Sequence, residues 1–184
     1  MIKEFVYLNP NLKKELNDHQ DFLMYLIGKP GSGKTSILIE MLMNKDLLGD
    51  KFDYIFIFSP YKLPELDLEL NVNWFNEFDI LNLFEIIKLI NNPKSEEINV
   101  LIIFDDFISK LKEYRSNKDF MNLIYNRRHI LPNKTISIII TSQRYMVLPL
   151  NYRSTITHLL FFALNEKDYK ILKEDCYGSF DISL

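Results

Sequence analysis

Cysteine is nearly absent from this sequence: Cys176 stands alone among 184 residues. One thiol makes neither an internal disulfide nor a zinc cluster, which excludes redox and structural-metal scaffolds and fits a reducing compartment. Alanine occurs once, at Ala163, while Asn, Ile, Lys and Phe are abundant, the pattern of an AT-rich coding sequence rather than of a function. Glycine is scarce too, yet three of the five, Gly28, Gly31 and Gly33, fall close together. Long apolar runs are missing. The longest, residues 22–27 (FLMYLI) and 159–164 (LLFFAL), stop far short of the roughly 18 residues that cross a bilayer, so no membrane association is expected. The N-terminal MIKEFVYLNPNLKKEL has no apolar stretch ahead of a small-residue cleavage site, so the protein is expected to stay inside the cell. An excess of positive charge is lacking as well. The net charge is −3, so any contact with nucleic acid must be local.

What is present is material for a core. Residues of the hydrophobic class make up 47% of the chain and charged ones 26%, which excludes disorder as the main state and suits a single domain over 1–184. No repeat and no Gly/Ser-rich linker interrupts it. Five short runs, 22–27, 53–58, 100–104, 136–141 and 156–162, are apolar nearly throughout rather than at alternate positions, as in strands covered on both faces. Helical spacing appears between them at about 34–44, 76–91 and 117–129, with Pro93 ending the second. This alternation predicts an α/β fold: a three-layer sandwich around a mostly parallel sheet. A short helix near 166–174 and a tail to Leu184 are expected after the fifth strand.

The segment Gly28-Lys29-Pro30-Gly31-Ser32-Gly33-Lys34-Thr35 matches GxxxxGK[ST], follows a strand and opens a helix. Its glycines let the backbone turn with N–H groups aimed inward at a phosphate, and the helix N-terminus behind them adds its positive dipole end. Lys34 then reaches the β- and γ-phosphates, the Thr35 hydroxyl coordinates Mg²⁺, and Gly28, Pro30, Ser32 and Ser36 complete the expected cradle. A second motif, Val100 to Phe104 followed by Asp105-Asp106, ends a buried strand in two carboxylates. Adjacent acids could simply cap the next helix. Beside a phosphate loop they acquire roles: Asp105 as the Mg²⁺ partner and Asp106, pointing the other way, as the group that polarises an attacking water. A third is Thr141-Ser142-Gln143, where the amide of Gln143 can donate to a γ-phosphate and accept from the lytic water. His19, His129 and His158 lack ligand spacing and read as structural.

Taken together, GKPGSGKT, LIIFDD, Arg128-His129 before a strand, IIITSQ, Leu148-Pro149 and Tyr152-Arg153 resemble the genome-packaging ATPases of the FtsK/HerA superfamily, in the branch typical of poxviruses, other large double-stranded DNA viruses and virophages. The likeness covers about 24–164. It implies an additional-strand P-loop core with order 5-1-4-3-2, counting the five runs along the chain. It also implies ATP and Mg²⁺ as cofactors, Lys34 and Thr35 in Walker A, Asp105 and Asp106 in Walker B, and Gln143 as the sensor. The implied partners are double-stranded DNA, further copies of the chain in a pentameric or hexameric ring, and capsid proteins. The implied location is the host cytoplasm or virus factory, or the virion. Many relatives carry Asp-Glu where this chain has Asp-Asp, which bears on rate rather than role.

Arg127, Arg128, Arg144 and Arg153 could form a solvated basic face, or one could serve a ring neighbour as an arginine finger, with Arg128 and Arg153 the first choices. Lys110 to Lys118 reads either as a DNA-facing loop or as an exposed amphipathic helix. Two other functions share the phosphate loop: an ATPase switch acting on a protein partner, and a small kinase, for which the sequence offers no Arg-rich lid.

Overall fold

The computed structural model describes residues 21–62, 72–81, 83–84, 98–130 and 134–175. In chain order they form β1 (Leu23–Ile27), α1 (Lys34–Met43), β2 (Tyr54–Phe58), β3 (Val72–Phe75), β4 (Ile98–Phe104), α2 (Ile108–Glu113), α3 (Lys118–Asn126), β5 (Lys134–Ser142), a 3-10 turn (Tyr145–Val147), α4 (Leu150–Arg153), β6 (His158–Phe161) and α5 (Glu166–Asp175). Of the helix expected over 76–91, Ile80, Leu81, Leu83 and Phe84 are helical. Residue 82, residues 85–91, Pro93, His19, Cys176 and the tail lie outside the described residues.

All six strands join one sheet in the order β3-β2-β4-β5-β1-β6, and every pairing is parallel. Counted over the five expected runs this is 5-1-4-3-2, with β3 added beyond β2. The added strand escaped the sequence reading because it is short, carries Asn73 at its centre and is only partly buried along its length. An edge strand needs no two-sided apolar run.

Side chains alternate between two cores, as a pleated sheet requires. Leu23, Tyr25 and Ile27 of β1 face Phe120, Leu123 and Ile124 of α3 and Leu172 of α5 within one cluster. Met24 and Leu26 face the other way, toward Leu38, Met41 and Leu42 of α1. Helices on both faces make the three layers. The first face is aromatic: Phe104 lies 5.4 Å from Phe58, 5.1 Å from Phe78 and 6.1 Å from Phe120, ring centre to ring centre. Helix α3 on that face is fixed locally by Asn117, whose side chain accepts the amides of Asp119 at 3.0 Å and Phe120 at 2.9 Å, the cap that closes a helix N-terminus.

Phe104 carries the chain from this cluster into Asp105, so its packing supports both core and site. Phe104→Ala is expected to cost about 3–5 kcal/mol of stability, lowering the melting temperature by on the order of 10 °C for a domain of this size. Thermal unfolding followed by circular dichroism checks this, and a shift within a degree or two of the parent would show that the cluster is loosely packed.

Candidate nucleotide-binding site

Parallel strands deliver their carboxyl ends to one edge of the sheet, and the order places β5 between β1 and β4 there. The chain leaves β1 through Gly28, whose N–H donates to Ser142 O at 3.1 Å, so the phosphate loop starts tied to the end of β5. Gly31 and Gly33 take positive φ, +74° and +96°, which glycine alone adopts without strain. Gly28 is required for a different reason, close approach: a Cβ there would fall 2.4 Å from Ser32 Oγ and 2.9 Å from Phe162 Cβ. Helix α1 begins at Gly33 with no side-chain cap and no acid in its first turn, unlike α3 with its Asn117 cap and Asp119. Its first amides are thus left for an anion.

Lys34 is buried, and its ammonium donates to Gly28 O at 2.8 Å and Lys29 O at 3.3 Å. Ser32 Oγ is buried with no hydrogen-bond partner among the described residues, an arrangement that native proteins rarely leave unfilled. Thr35 is half-buried, while Pro30 and Ser36 are exposed on the loop and the first helical turn. An orphaned hydroxyl, an uncapped helix and a buried lysine fit a phosphate chain. The loop thus brings Gly28, Ser32 and Lys34 together, with Thr35 and Ser36 on the first turn of α1.

Asp105 and Asp106 follow β4 at the same edge. Asp105 is buried, and its Oδ1 accepts the Thr141 hydroxyl at 2.6 Å. Burial raises its pKa above the ordinary carboxylate value; the hydrogen bond from Thr141 opposes this, Asp106 adds to it, and the positive charge of Lys34 opposes it. Asp106 is exposed and has φ +52°, the only positive value on a non-glycine among the described residues. A buried carboxylate oxygen together with the Thr35 hydroxyl is a hard-oxygen donor pair of the kind Mg²⁺ accepts. Gln143 stands one residue beyond β5, exposed, with no hydrogen bond from its amide among the described residues. Its neighbours are anchored: Tyr25 OH meets Ser142 Oγ at 2.6 Å and donates to Arg144 O at 3.0 Å.

The four arginines do not cluster. Arg127 is buried, donating to Asp21 O and Ile124 O, each at 2.8 Å. Arg128 pairs with Asp21 and is half-exposed. Asp21 precedes β1, so Arg128 lies at the opposite edge of the sheet from Gly28, roughly 20 Å away along the strand. Arg153 pairs with Asp175 at 2.8 Å, donates to Leu148 O at 3.0 Å and lies 4.9 Å over the Tyr145 ring. Arg144 pairs at 3.4 Å with the fully buried Asp168. The sequence reading named Thr141 within the third motif without giving it a role, and it missed Tyr25, whose polar group inside an apolar strand was the signal available.

A parallel sheet in this order, with a GxxxxGK[ST] loop, two acids after β4 and a polar tip on β5, defines a P-loop NTPase fold of the additional-strand kind. The chain belongs to the poxvirus A32 protein family, whose model matches residues 11–177. It is 30% identical over 178 residues to the DNA packaging protein OPG160 of Variola virus, covering 90% of this chain and 60% of that protein. With the protein of the same name from Vaccinia virus (strain Copenhagen) it shares 30% over 159 residues, 80% of this chain and 55% of the relative. The chain thus spans little more than half the length of these relatives. Among solved structures, the genome packaging NTPase B204 from Sulfolobus turreted icosahedral virus 2 in complex with AMPPCP superposes with TM-score 0.62 at 15% identity, covering 85% of this chain and 82% of that one. The same NTPase in complex with sulfate gives TM-score 0.61 at 16% identity, covering 87% and 83%.

The raised pKa of Asp105 has a sign. A carboxyl that holds its proton more tightly when folded favours the folded state below its unfolded pKa, near 3.8, and that contribution is lost as pH rises through the folded value. Above its unfolded pKa, this buried carboxyl therefore costs the nucleotide-free protein stability relative to a neutral group of the same shape. Asp105→Asn should melt higher than the parent at neutral pH, with the gap closing as the pH falls below the carboxyl's ordinary range. Differential scanning calorimetry across pH tests this; a neutral-pH melting temperature lower than the parent's would show that the charge is stabilising where it sits.

Proposed function

We propose that this chain is the ATP-hydrolysing core of a motor that drives double-stranded DNA into a viral capsid, working as a homo-oligomeric ring in the infected cell. The observation that carries the hydrolase reading is the meeting of three groups at one sheet edge: the phosphate loop after β1, Asp105 and Asp106 after β4, and Gln143 after β5, between them. The packaging reading is supported by the family and by the relatives' names.

The proposed chemistry follows from the positions. The amides of the loop and Lys34 take the negative charge of the phosphates, with Lys34 exchanging its bonds to Gly28 O and Lys29 O for phosphate oxygens. Mg²⁺, held by Thr35 and Asp105, supplies charge neutralisation when bound. Asp106, exposed and free of a side-chain partner among the described residues, accepts the proton of the water that attacks the γ-phosphorus, as the bond to the bridging oxygen breaks and ADP leaves. Gln143 orients that water. A carboxylate aimed at water and an exposed amide favour hydrolysis over transfer to a bound acceptor.

No arginine of the chain contacts its own phosphate loop among the described residues, so the charge over the γ-phosphate is assigned to a neighbouring subunit. Arg128 is the better candidate: 54% of its side chain is exposed, against 10% for Arg153, which already serves three partners. DNA contact is assigned to the segment from Lys110 to Lys118, which the structure folds as α2, a turn and the start of α3.

Four substitutions test the roles. Lys34→Ala is expected to abolish hydrolysis and weaken ATP binding. Asp106→Asn and Gln143→Ala should keep ATP bound while kcat falls by on the order of 10²-fold or more. Arg128→Ala should lose roughly 10³-fold or more in rate, partly restored on mixing with Lys34→Ala subunits, since each supplies what the other lacks. Duplex DNA should stimulate the parent protein, with binding that weakens as salt rises by a log–log slope of about −0.9 per phosphate contact. A protein that stays monomeric and hydrolyses ATP at the same rate with and without DNA would refute the motor and favour a switch acting on a protein partner.

A further inference from the structure

At the end of β5, one side chain touches both acids of the proposed chemistry. Thr141 is completely buried. Its hydroxyl donates to Asp105 Oδ1 at 2.6 Å and accepts the backbone N–H of Asp106 at 3.0 Å. One proton to give and lone pairs to receive allow both bonds at once. Space-filling alone does not call for this: valine has the same shape and a better transfer energy, so an interior hydroxyl is informative when both of its capacities are used.

The second bond falls where the backbone most needs support. Asp106 is left-handed at φ +52°, a conformation that side chains with a Cβ resist, aspartate less than most, and that a bond to its amide helps hold in place. The sharp exit from β4 separates two consecutive carboxylates, one buried and one exposed. It is Thr141 that receives the amide of this residue. The next two residues of the same strand end reach elsewhere in the site: Ser142 O takes the Gly28 amide at 3.1 Å, and Gln143 follows.

We infer that Thr141 is a positioning residue for ATP hydrolysis, whose single hydroxyl aims the Asp105 carboxylate, anchored from the other side by β2 through Asp105 N–H to Phe58 O at 2.9 Å, and pins the left-handed turn of Asp106, so that the strand that carries Gln143 reaches both acids. The inference rests on the hydrolase reading given above. Thr141 touches no nucleotide; it acts through the two acids. Its loss should therefore leave nucleotide affinity without metal intact while reducing turnover and the gain in affinity that Mg²⁺ brings.

The test compares the full chain with Thr141→Val and Thr141→Ser. Three quantities are read: steady-state kcat and KM, binding of a fluorescent non-hydrolysable ATP analogue with and without Mg²⁺, and melting temperature. Thr141→Val is expected to lower kcat roughly ten- to a hundredfold, the loss of a hydrogen bond to a charged group. Metal-free binding should stay near the parent's and the Mg²⁺ increment should shrink. Thr141→Ser, which keeps the hydroxyl, should recover most of both. A purely structural role would lower the melting temperature of the valine variant without touching the Mg²⁺ increment. The inference is overturned if Thr141→Val keeps the parent's kcat and Mg²⁺ increment, or if Thr141→Ser is as impaired as Thr141→Val. Should the valine variant fail to fold, Thr141→Cys, a weak donor of similar size, replaces it with the same two outcomes. A parent protein that hydrolyses no ATP, with or without duplex DNA, would instead overturn the hydrolase reading, and the binding arm would still decide the role of Thr141.

Discussion

The place of β5 between β1 and β4 is the constraint on which the rest depends. With every strand parallel, three carboxyl ends come to the same edge, and neighbouring strands lie about 4.8 Å apart. Lys34, Asp105 and Gln143 come from distant stretches of the chain, yet the sheet sets their separation to within a strand spacing or two. No loop has to find its partner by itself. The register enforces the height as well as the spacing: Ile27 is level with Ser142, and Phe104 with Ile140.

That arrangement carries an energetic tension. The sheet's two faces bury a continuous apolar core, and the aromatic cluster around Phe104 runs up to the residue before Asp105. A carboxylate at the end of such a strand is desolvated by the packing that makes the strand stable. The Thr141 hydroxyl and the charge of Lys34 offset part of this. A site of this kind is locally less stable than an apolar one of the same shape, and the surrounding core supplies the margin.

Much of this was legible in the sequence, for identifiable reasons. Two-sided burial writes itself as unbroken apolar runs, so five strands could be read, while their order came only with the family resemblance; glycine placement marks the phosphate loop because few other residues adopt those angles. Strand β3 left no such mark, since Val72 to Phe75 is half-covered and interrupted by Asn73. The separation of the two acids could be anticipated from adjacency, but the left-handed backbone of Asp106 could not, because aspartate tolerates that conformation without requiring it and most aspartates do not adopt it. The arginines were the least legible. Their positive charge is visible, whereas the assignment of Arg153 to Asp175, Leu148 and Tyr145 depends on contacts that span the chain. Tyr25 likewise reads as a core aromatic until its hydroxyl is seen to bind the residues on either side of Gln143.

The bonds from Lys34 to the carbonyls of Gly28 and Lys29 shift a cost from one process to another. Holding a lysine side chain in a single rotamer loses about 1.5–2 kcal/mol of conformational entropy. Here the loss is taken when the chain folds, so it is absent when a phosphate arrives, and the ammonium needs only to trade one set of oxygens for another. In the proposed function the ammonium is thus already confined beside the loop, and phosphate oxygens replace the two carbonyls as its partners.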